Sequence, residues 1–463
     1  LVLNLRDPSR VTAVIPTAKT VNYKGRTLVA VPHGLDEVRV LRNLGLDAPA
    51  PIEHYYDWPG RFTPYLHQKI TASFLTTNPR AYCLNGMGSG KTVSVLWAFD
   101  YLKKLGLVKR MLVVGPLSSM ERAWADEVFR HFPHLNCAVL YGTRERRHKL
   151  LAQDFDIFII NHDGAKNKET MRLLAEREGL DVIVVDEIDT ARNASTDMWK
   201  ALNVIINGNK KGDLKRKEWA WGLTGTPVPN YPTDAWAQCK LVTPGTVSPY
   251  FGGFRDRVMR QITQFKWVPR DNAMEVIHEV MQPAVRFARE DCIDLPPTTY
   301  QTVQVELTDE QRKAYDEMLR QLKTECEGGT IKAINEAVKL NKLLQICLGT
   351  AYSEDGYVSI PARPRVELVR ELIHRAEGKV LVFAPLTGAL LALAEELRKD
   401  FSVEVVYGDV PKAKRDQIFQ DFQTSPHPRV TVANPKTMTH PLTLTEANTI
   451  TWNGPTHSNG THE

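Results

Sequence analysis

Several classes of protein are excluded by what this chain of 463 residues lacks. Its six cysteines, Cys83, Cys137, Cys239, Cys292, Cys326 and Cys347, are scattered with no C-x-x-C pair, so neither a zinc knuckle nor a disulfide framework is indicated. The thirteen histidines contain no H-E-x-x-H or other paired-ligand spacing, which removes the usual case for a structural metal. No apolar run approaches the length of about eighteen residues that a membrane span requires, and no charged-then-apolar leader opens the chain. A reducing, cytoplasmic setting without a membrane partner is the expectation. Charge of one sign is also missing. With 59 basic and 54 acidic residues the formal net charge is +5, a balance that permits a nucleic-acid partner without demanding one. Repeats and low-complexity tracts are absent as well. What remains, with 43% hydrophobic residues, is the composition of a globular protein with room for two or three domains. The sequence begins at Leu1 rather than methionine and is read as a fragment.

The most informative segment that is present runs from Asn85 to Thr92, Asn-Gly-Met-Gly-Ser-Gly-Lys-Thr, between the apolar Ala81–Leu84 and a helix-like run from Val93. Glycines in such a loop let successive backbone N–H groups converge on an oxyanion, and the following helix start adds partial positive charge. Gly86, Met87, Gly88, Ser89 and Gly90 are therefore read as a cradle for the phosphates of ATP, with Lys91 on the β and γ phosphates and Thr92 on Mg²⁺. The usual pattern has glycine five residues before Gly90, where this chain has Asn85. Further on, Val182–Val185 is a β-branched run that ends in Asp186-Glu187-Ile188-Asp189. Such a run suits a strand buried on both faces of a parallel sheet, and ligands of open α/β sheets bind at strand carboxyl ends. Asp186 is the expected second holder of Mg²⁺, and Glu187 the group that orients or deprotonates the attacking water.

Around these motifs, strand-like runs at Tyr82–Leu84, Met111–Val114, Ile157–Ile160, Val182–Val185 and Trp219–Leu223 alternate with helical patterns, which predicts a parallel sheet covered on both faces. Residues 1–60 read as a small accessory α+β module, with strands at Val11–Ile15 and Thr27–Val31. The remainder divides into a first nucleotide-binding lobe (61–244), a proline-bounded linker or insertion (245–297), a helical insertion (298–350) and a second sheet-and-helix lobe (351–463). The helical insertion opens with Thr308-Asp309-Glu310-Gln311, a capping-box signature. The second lobe carries no phosphate loop.

With Leu223-Thr224-Gly225-Thr226-Pro227 following the acidic strand, the chain resembles the Swi/Snf-type DNA translocases of helicase superfamily two, most of all bacteriophage and bacterial members. Pro64–Gln68, Val113–Ser118 with Trp124, Leu343–Cys347, Tyr407–Asp409 with Arg415, and Leu442–Thr445 agree with that family's landmarks. The resemblance covers about residues 61–463. It implies an α/β fold of two RecA-like lobes, the second incomplete, and a DNA-dependent ATPase. It further implies that Gln68 reads adenine, that Thr224 and Thr226 couple the nucleotide site to the other lobe, and that Pro116, Ser118, Ser119, Asn161, Thr437, Thr443 and Thr445 touch the DNA backbone. Hydroxyl and amide contacts of that kind grip phosphate without reading bases, in keeping with the modest net charge.

Two departures from the family pattern follow. Pro441 stands where glycine is usual, which removes an N–H and forbids positive φ. The sequence also stops at Glu463, before the segment in which the family carries its arginine fingers, and a fragment of this kind is expected to bind ATP and hydrolyse it poorly. Three functions are thus in view: a motor moving along double-stranded or branched DNA, a strand-separating helicase, and an ATP-binding clamp or adaptor without efficient hydrolysis.

Overall fold

Apolar runs separated in sequence by helices come together as two separate parallel sheets. The computed structural model describes residues 1–209, 212–264, 266–292, 299–327, 341–353, 356–438 and 444–455. The chain divides into two units, Leu1–Pro296 and Pro297–Glu463.

The first unit opens with β1 (Val2–Leu3), a short helix α1 (Ser9–Thr12), the strands β2 (Lys19–Tyr23) and β3 (Arg26–Ala30), and helix α2 (Leu35–Asn43). These strands form an antiparallel sheet of order β1-β3-β2. The expected strand at Val11–Ile15 is corrected: Val11 lies in α1, and the Ile15 N–H donates to the Val11 carbonyl at 2.9 Å. Their spacing is the reason, because residues four apart share one face of a helical turn, and Val11 and Ile15 are buried together in the small core of this region.

The main sheet follows: α3 (Ile52–Tyr55), α4 (Leu66–Thr77), β4 (Arg80–Cys83), α5 (Lys91–Lys104), β5 (Arg110–Gly115), β6 (Cys137–Val139), β7 (Ile157–Asn161), β8 (Leu180–Asp186) and β9 (Trp219–Leu223). Residues 245–297, read from sequence as a linking segment, add the antiparallel hairpin β10 (Met259–Thr263) and β11 (Lys266–Pro269), then β12 (Ala284–Val285), which joins the edge of the main sheet. The resulting order is β12-β4-β9-β8-β5-β7-β6, with every neighbouring pair parallel.

Alternation along each strand sends side chains to two cores. Ile183 and Val185 join Leu112, Val114, Phe158 and Ile160 on one face. Val182 and Val184 join Met111, Val113, Ile157, Ile159 and Trp221 on the other. Ala50, Ile52 and Tyr56 belong to this second core, so the chain is packed against the sheet well before α4 begins.

The second unit holds the helix Asp309–Glu327, the hairpin β13 (Thr350–Ser353) and β14 (Gly356–Ser359), and then β15 (Lys379–Phe383), β16 (Val403–Val406), β17 (Val430–Ala433) and β18 (Ala447–Trp452). Its sheet has the order β16-β17-β15-β18 and is parallel throughout. The capping box is formed as read: the Gln311 N–H donates to Thr308 Oγ1 at 3.2 Å, and the Thr308 N–H donates to Gln311 Oε1 at 3.2 Å. Among the described residues no helix is long and apolar enough to cross a membrane.

Candidate active site

The glycine loop leaves β4 and enters α5 at the carboxyl edge of the main sheet, where the acidic end of β8 also lies. Cys83 and Asp186 both pair with Leu223 of the intervening β9. The start of the loop and the carboxylate strand therefore flank one residue at equal height, about 10 Å apart at two strand spacings.

Within the loop, two glycines have backbone conformations that other residues rarely adopt, Gly88 at φ +74° and Gly90 at φ +79°. A Cβ on Gly90 would also come within 2.2 Å of Gln68 Nε2. The loop is clamped from α4, since His67 Nε2 donates to the Ser89 carbonyl at 2.9 Å and Gln68 Nε2 donates to the same oxygen at 3.3 Å. Gln68 Oε1 accepts from the Tyr65 N–H at 3.1 Å, and its side chain is buried. In this structure Gln68 thus holds the loop to the start of α4, with one N–H and one lone pair beyond those bonds.

The geometry gives a physical reason for Asn85 at the position where glycine is usual. Its Nδ2 donates to Thr71 Oγ1 at 2.8 Å, and its Oδ1 accepts from the Phe287 N–H at 3.0 Å. Gly86 N–H donates to the Phe287 carbonyl at 3.0 Å. Asn85, only 1% exposed, therefore fastens the loop to α4 on one side and to the chain leaving β12 on the other. Sequence reasoning missed this role because its partner Phe287 is 202 residues away.

Lys91 Nζ donates to the loop carbonyls of Asn85 at 3.0 Å and Gly86 at 3.3 Å. Its charge favours the ionised forms of both Asp186 and Glu187. Thr92, one residue on, is partly exposed at the same helix start.

Asp186 is held from two sides. Trp124 Nε1 donates to its Oδ2 at 3.0 Å, and His162 Nε2 donates to its main-chain carbonyl at 2.9 Å. Trp124 reaches it from a widened helical turn, Met120–Ala125, of the kind that often marks functional sites. Burial pushes the Asp186 carboxyl above its usual range, and the Trp124 bond and Lys91 oppose that shift. Glu187 takes a left-handed backbone conformation, φ +49°, and burial, then the Asp186 charge, raises it to about 7. Asp189 is raised by burial as well, and accepts from Thr224 Oγ1 at 3.1 Å. Thr224 Oγ1 also accepts from the Thr226 N–H at 3.1 Å. Asp186 is buried and Glu187 and Asp189 are half-buried, and the Asp186 carboxylate and the Thr92 hydroxyl are hard oxygen donors of the kind that suits Mg²⁺. Thr92 and Asp186 are the residues that would hold it.

The expected DNA-facing residues divide. Ser118 is half-buried, and its hydroxyl oxygen is itself buried, without a hydrogen-bond partner. Ser119 is 1% exposed and its Oγ donates to the Pro116 carbonyl at 3.0 Å. Pro116 is itself buried, so both residues shape the turn after β5. Asn161 is buried, and its Oδ1 accepts from the Gly164 N–H at 3.2 Å. In the second unit Thr437 Oγ1 donates to the Asn434 carbonyl at 2.7 Å, while Thr445 is exposed and accepts from Gln423 Nε2 at 2.6 Å. Pro441 and Thr443 lie outside the described residues.

The sequence matches the SNF2-related domain over residues 81–350 and the helicase conserved C-terminal domain over residues 364–458. It is 26% identical over 312 residues to protein p41 of Acyrthosiphon pisum secondary endosymbiont phage 1, covering 64% of this chain and 65% of that one. It is 24% identical over 310 residues to the ISWI chromatin-remodeling complex ATPase ISW1 of Saccharomyces cerevisiae, covering 64% of this chain and 26% of that one. The chain thus spans less than two thirds of the length of either relative. Among solved structures, a Sulfolobus solfataricus SWI2/SNF2 ATPase core in complex with dsDNA is similar at 23% identity, with a TM-score of 0.46, covering 86% of this chain and 83% of that one. Because the first of these domain matches alone covers more than half of its 463 residues, the chain belongs to the SNF2-related family of superfamily-two helicase-like proteins.

Proposed function

We propose that this chain is an ATP-driven motor that moves along double-stranded DNA and remodels what is bound to it or branched from it. The observation that carries the reading is that the loop bearing Lys91 and the strand end bearing Asp186 and Glu187 leave one edge of one sheet, Cys83 and Asp186 both pairing with Leu223. Lys91 exchanges its loop carbonyls for the β and γ phosphates, and the N–H groups of Gly86–Gly90 turn toward the same oxyanions. Thr92 and Asp186 would hold Mg²⁺, which would supply positive charge to offset that of the phosphates. Glu187, poised near 7 by burial beside Asp186, orients and deprotonates the attacking water. Thr224, bonded to Asp189, and Thr226, whose N–H donates to Thr224 Oγ1, transmit the state of the site to the second unit. Ser118, Thr445 and Thr437 are the proposed contacts to DNA phosphates, and such contacts give low sequence specificity with marked salt dependence.

The test is ATP turnover by the purified chain with and without double-stranded DNA, beside Lys91→Ala. Stimulation by duplex that disappears in the variant supports the motor; turnover indifferent to DNA refutes it. Displacement of a triplex strand without unwinding of a tailed duplex separates translocation from strand separation. ATP binding that is strong while turnover stays at the Lys91→Ala level, with or without DNA, assigns the chain to the clamp reading instead.

A further inference from the structure

The small sheet near the start of the chain has no part in the site described above, and its outward face has a distinct chemistry. Val29 is fully buried and lies opposite Thr20 on β2 and Leu3 on β1, so these positions define the inner face. Because successive side chains alternate, the outer face carries Val2, Lys19, Val21, Tyr23, Arg26 and Leu28. The pairings Tyr23 with Arg26, Val21 with Leu28 and Lys19 with Ala30 place them in adjoining rows. All five positions of β2 are exposed. Tyr23 remains 58% exposed, Val21 46% and Val2 68%. Lys24, at the hairpin tip with φ +50°, rests its Nζ over the Tyr23 ring at 5.3 Å.

Charge identifies what fits this face. Residues 8–35 contain Arg10, Lys19, Lys24 and Arg26 and no acidic residue, whereas the whole chain carries a net charge of only +5. Lys19, Lys24 and Arg26 form no ion pair with any described carboxylate. An aromatic ring and aliphatic side chains on an open sheet face, flanked by unpaired cations, suit a strand whose phosphates meet the cations and whose bases stack on the ring. Acidic peptide would satisfy the cations but leaves the exposed Tyr23 ring unexplained.

The region is fixed to the main sheet away from the phosphate loop. Arg39 Nε and Arg42 Nη1 of α2 donate to the Thr77 carbonyl and hydroxyl at 3.0 Å each. Thr77 ends α4, next to the start of β4, whereas the loop and Asp186 are at strand ends.

We propose that the outer face of the β1-β3-β2 sheet is a second nucleic-acid site, which holds single-stranded DNA through Lys19, Lys24 and Arg26 and through base stacking on Tyr23. The proposal rests on the motor reading only for taking the nucleic acid to be DNA. In that role the face would retain the strand exposed at a branch while the two α/β units act on the duplex.

The test is equilibrium binding of the full chain to a fluorescent single-stranded oligonucleotide across a range of salt concentrations, with a blunt duplex in parallel. The triple variant Lys19→Ala, Lys24→Ala, Arg26→Ala is expected to bind the single strand more weakly, with the slope of log affinity against log salt smaller by about 2. Tyr23→Ala is expected to lose about 5- to 150-fold in single-strand affinity, with Tyr23→Phe retaining it. ATP binding and ATP turnover in the absence of DNA stay at the parent level in all three variants, which also verifies folding. Unchanged single-strand affinity and slope in the triple variant overturns the site while leaving the motor reading standing. Equal losses on duplex and single strand overturn the single-strand assignment. A parent chain that binds neither form of DNA overturns both readings.

Discussion

The two α/β units carry one architecture and unequal chemistry. In the first, β4 runs into a loop with two positive-φ glycines and then Lys91; in the second, the matching turn after β15 is Ala384-Pro385-Leu386 and enters the helix Thr387–Leu397 without a lysine. The contrast is sharpest between two lysines. Lys91 Nζ rests on two carbonyls of its own loop beside a carboxylate cluster. Lys379 Nζ, by contrast, donates to the carbonyls of Phe422 at 2.6 Å and of Ser425, at the end of the helix Lys412–Thr424. That is a helix C-terminus satisfied by a cation. A parallel sheet supplies strand ends in both units, but only the loop composition turns a strand end into an anion site.

Breaking this contrast gives the largest expected effect. Lys91→Ala should lower ATP turnover by about 100- to 1000-fold, with little change in thermal stability, as removal of a charge that acts on the developing transition state does. Lys379→Ala should do the opposite, leaving ATP binding by the first unit intact. Unfolding of the second unit would become easier by about 1–3 kcal/mol because helix carbonyls lose their donor, as denaturant titration would show. Loss of nucleotide binding in Lys379→Ala would erase the distinction.

Asn85→Gly sharpens the same comparison from within the first unit. It restores the glycine usual at that position, yet it removes the bonds to Thr71 and Phe287. The expected outcome is a loss of about 1–3 kcal/mol in stability, measured by chemical denaturation. A gain in stability would show that the two bonds contribute nothing.

On stability, Glu187→Gln has the smallest effect and a defined pH dependence. Folding raises this carboxyl from its ordinary value to about 7, so between those values the folded chain binds more protons than the unfolded one and stability falls as pH rises. The glutamine variant should therefore melt a few degrees above the parent at pH 8 without Mg²⁺ or nucleotide. That advantage should shrink toward pH 5, as differential scanning fluorimetry would record. An advantage independent of pH would assign it to packing rather than charge.

Much of this was legible in the sequence where the signal was local. The β-branched Val182–Val185 gave a strand buried on both faces, Thr308–Gln311 gave a capping box, and the phosphate loop announced itself by glycine spacing. Features that depend on distant partners were not legible. Nothing near Ala284 indicated that it would extend the main sheet beside Tyr82. Nothing near Ser119 showed that its hydroxyl would turn inward to Pro116. In Val11–Ile15 a short apolar run satisfied both strand and helix patterns, and burial of residues four apart decided the outcome.

The central claim is that Lys91 and Asp186 act on one Mg²⁺-bound triphosphate. A double-mutant cycle on Mg²⁺-ATP binding, measured by calorimetry with Lys91→Ala, Asp186→Asn and the pair, tests it most directly. The account predicts strong non-additivity, with a coupling of about 0.5–3 kcal/mol. Losses that simply add would contradict it, because two side chains serving separate ligands have no coupling to lose.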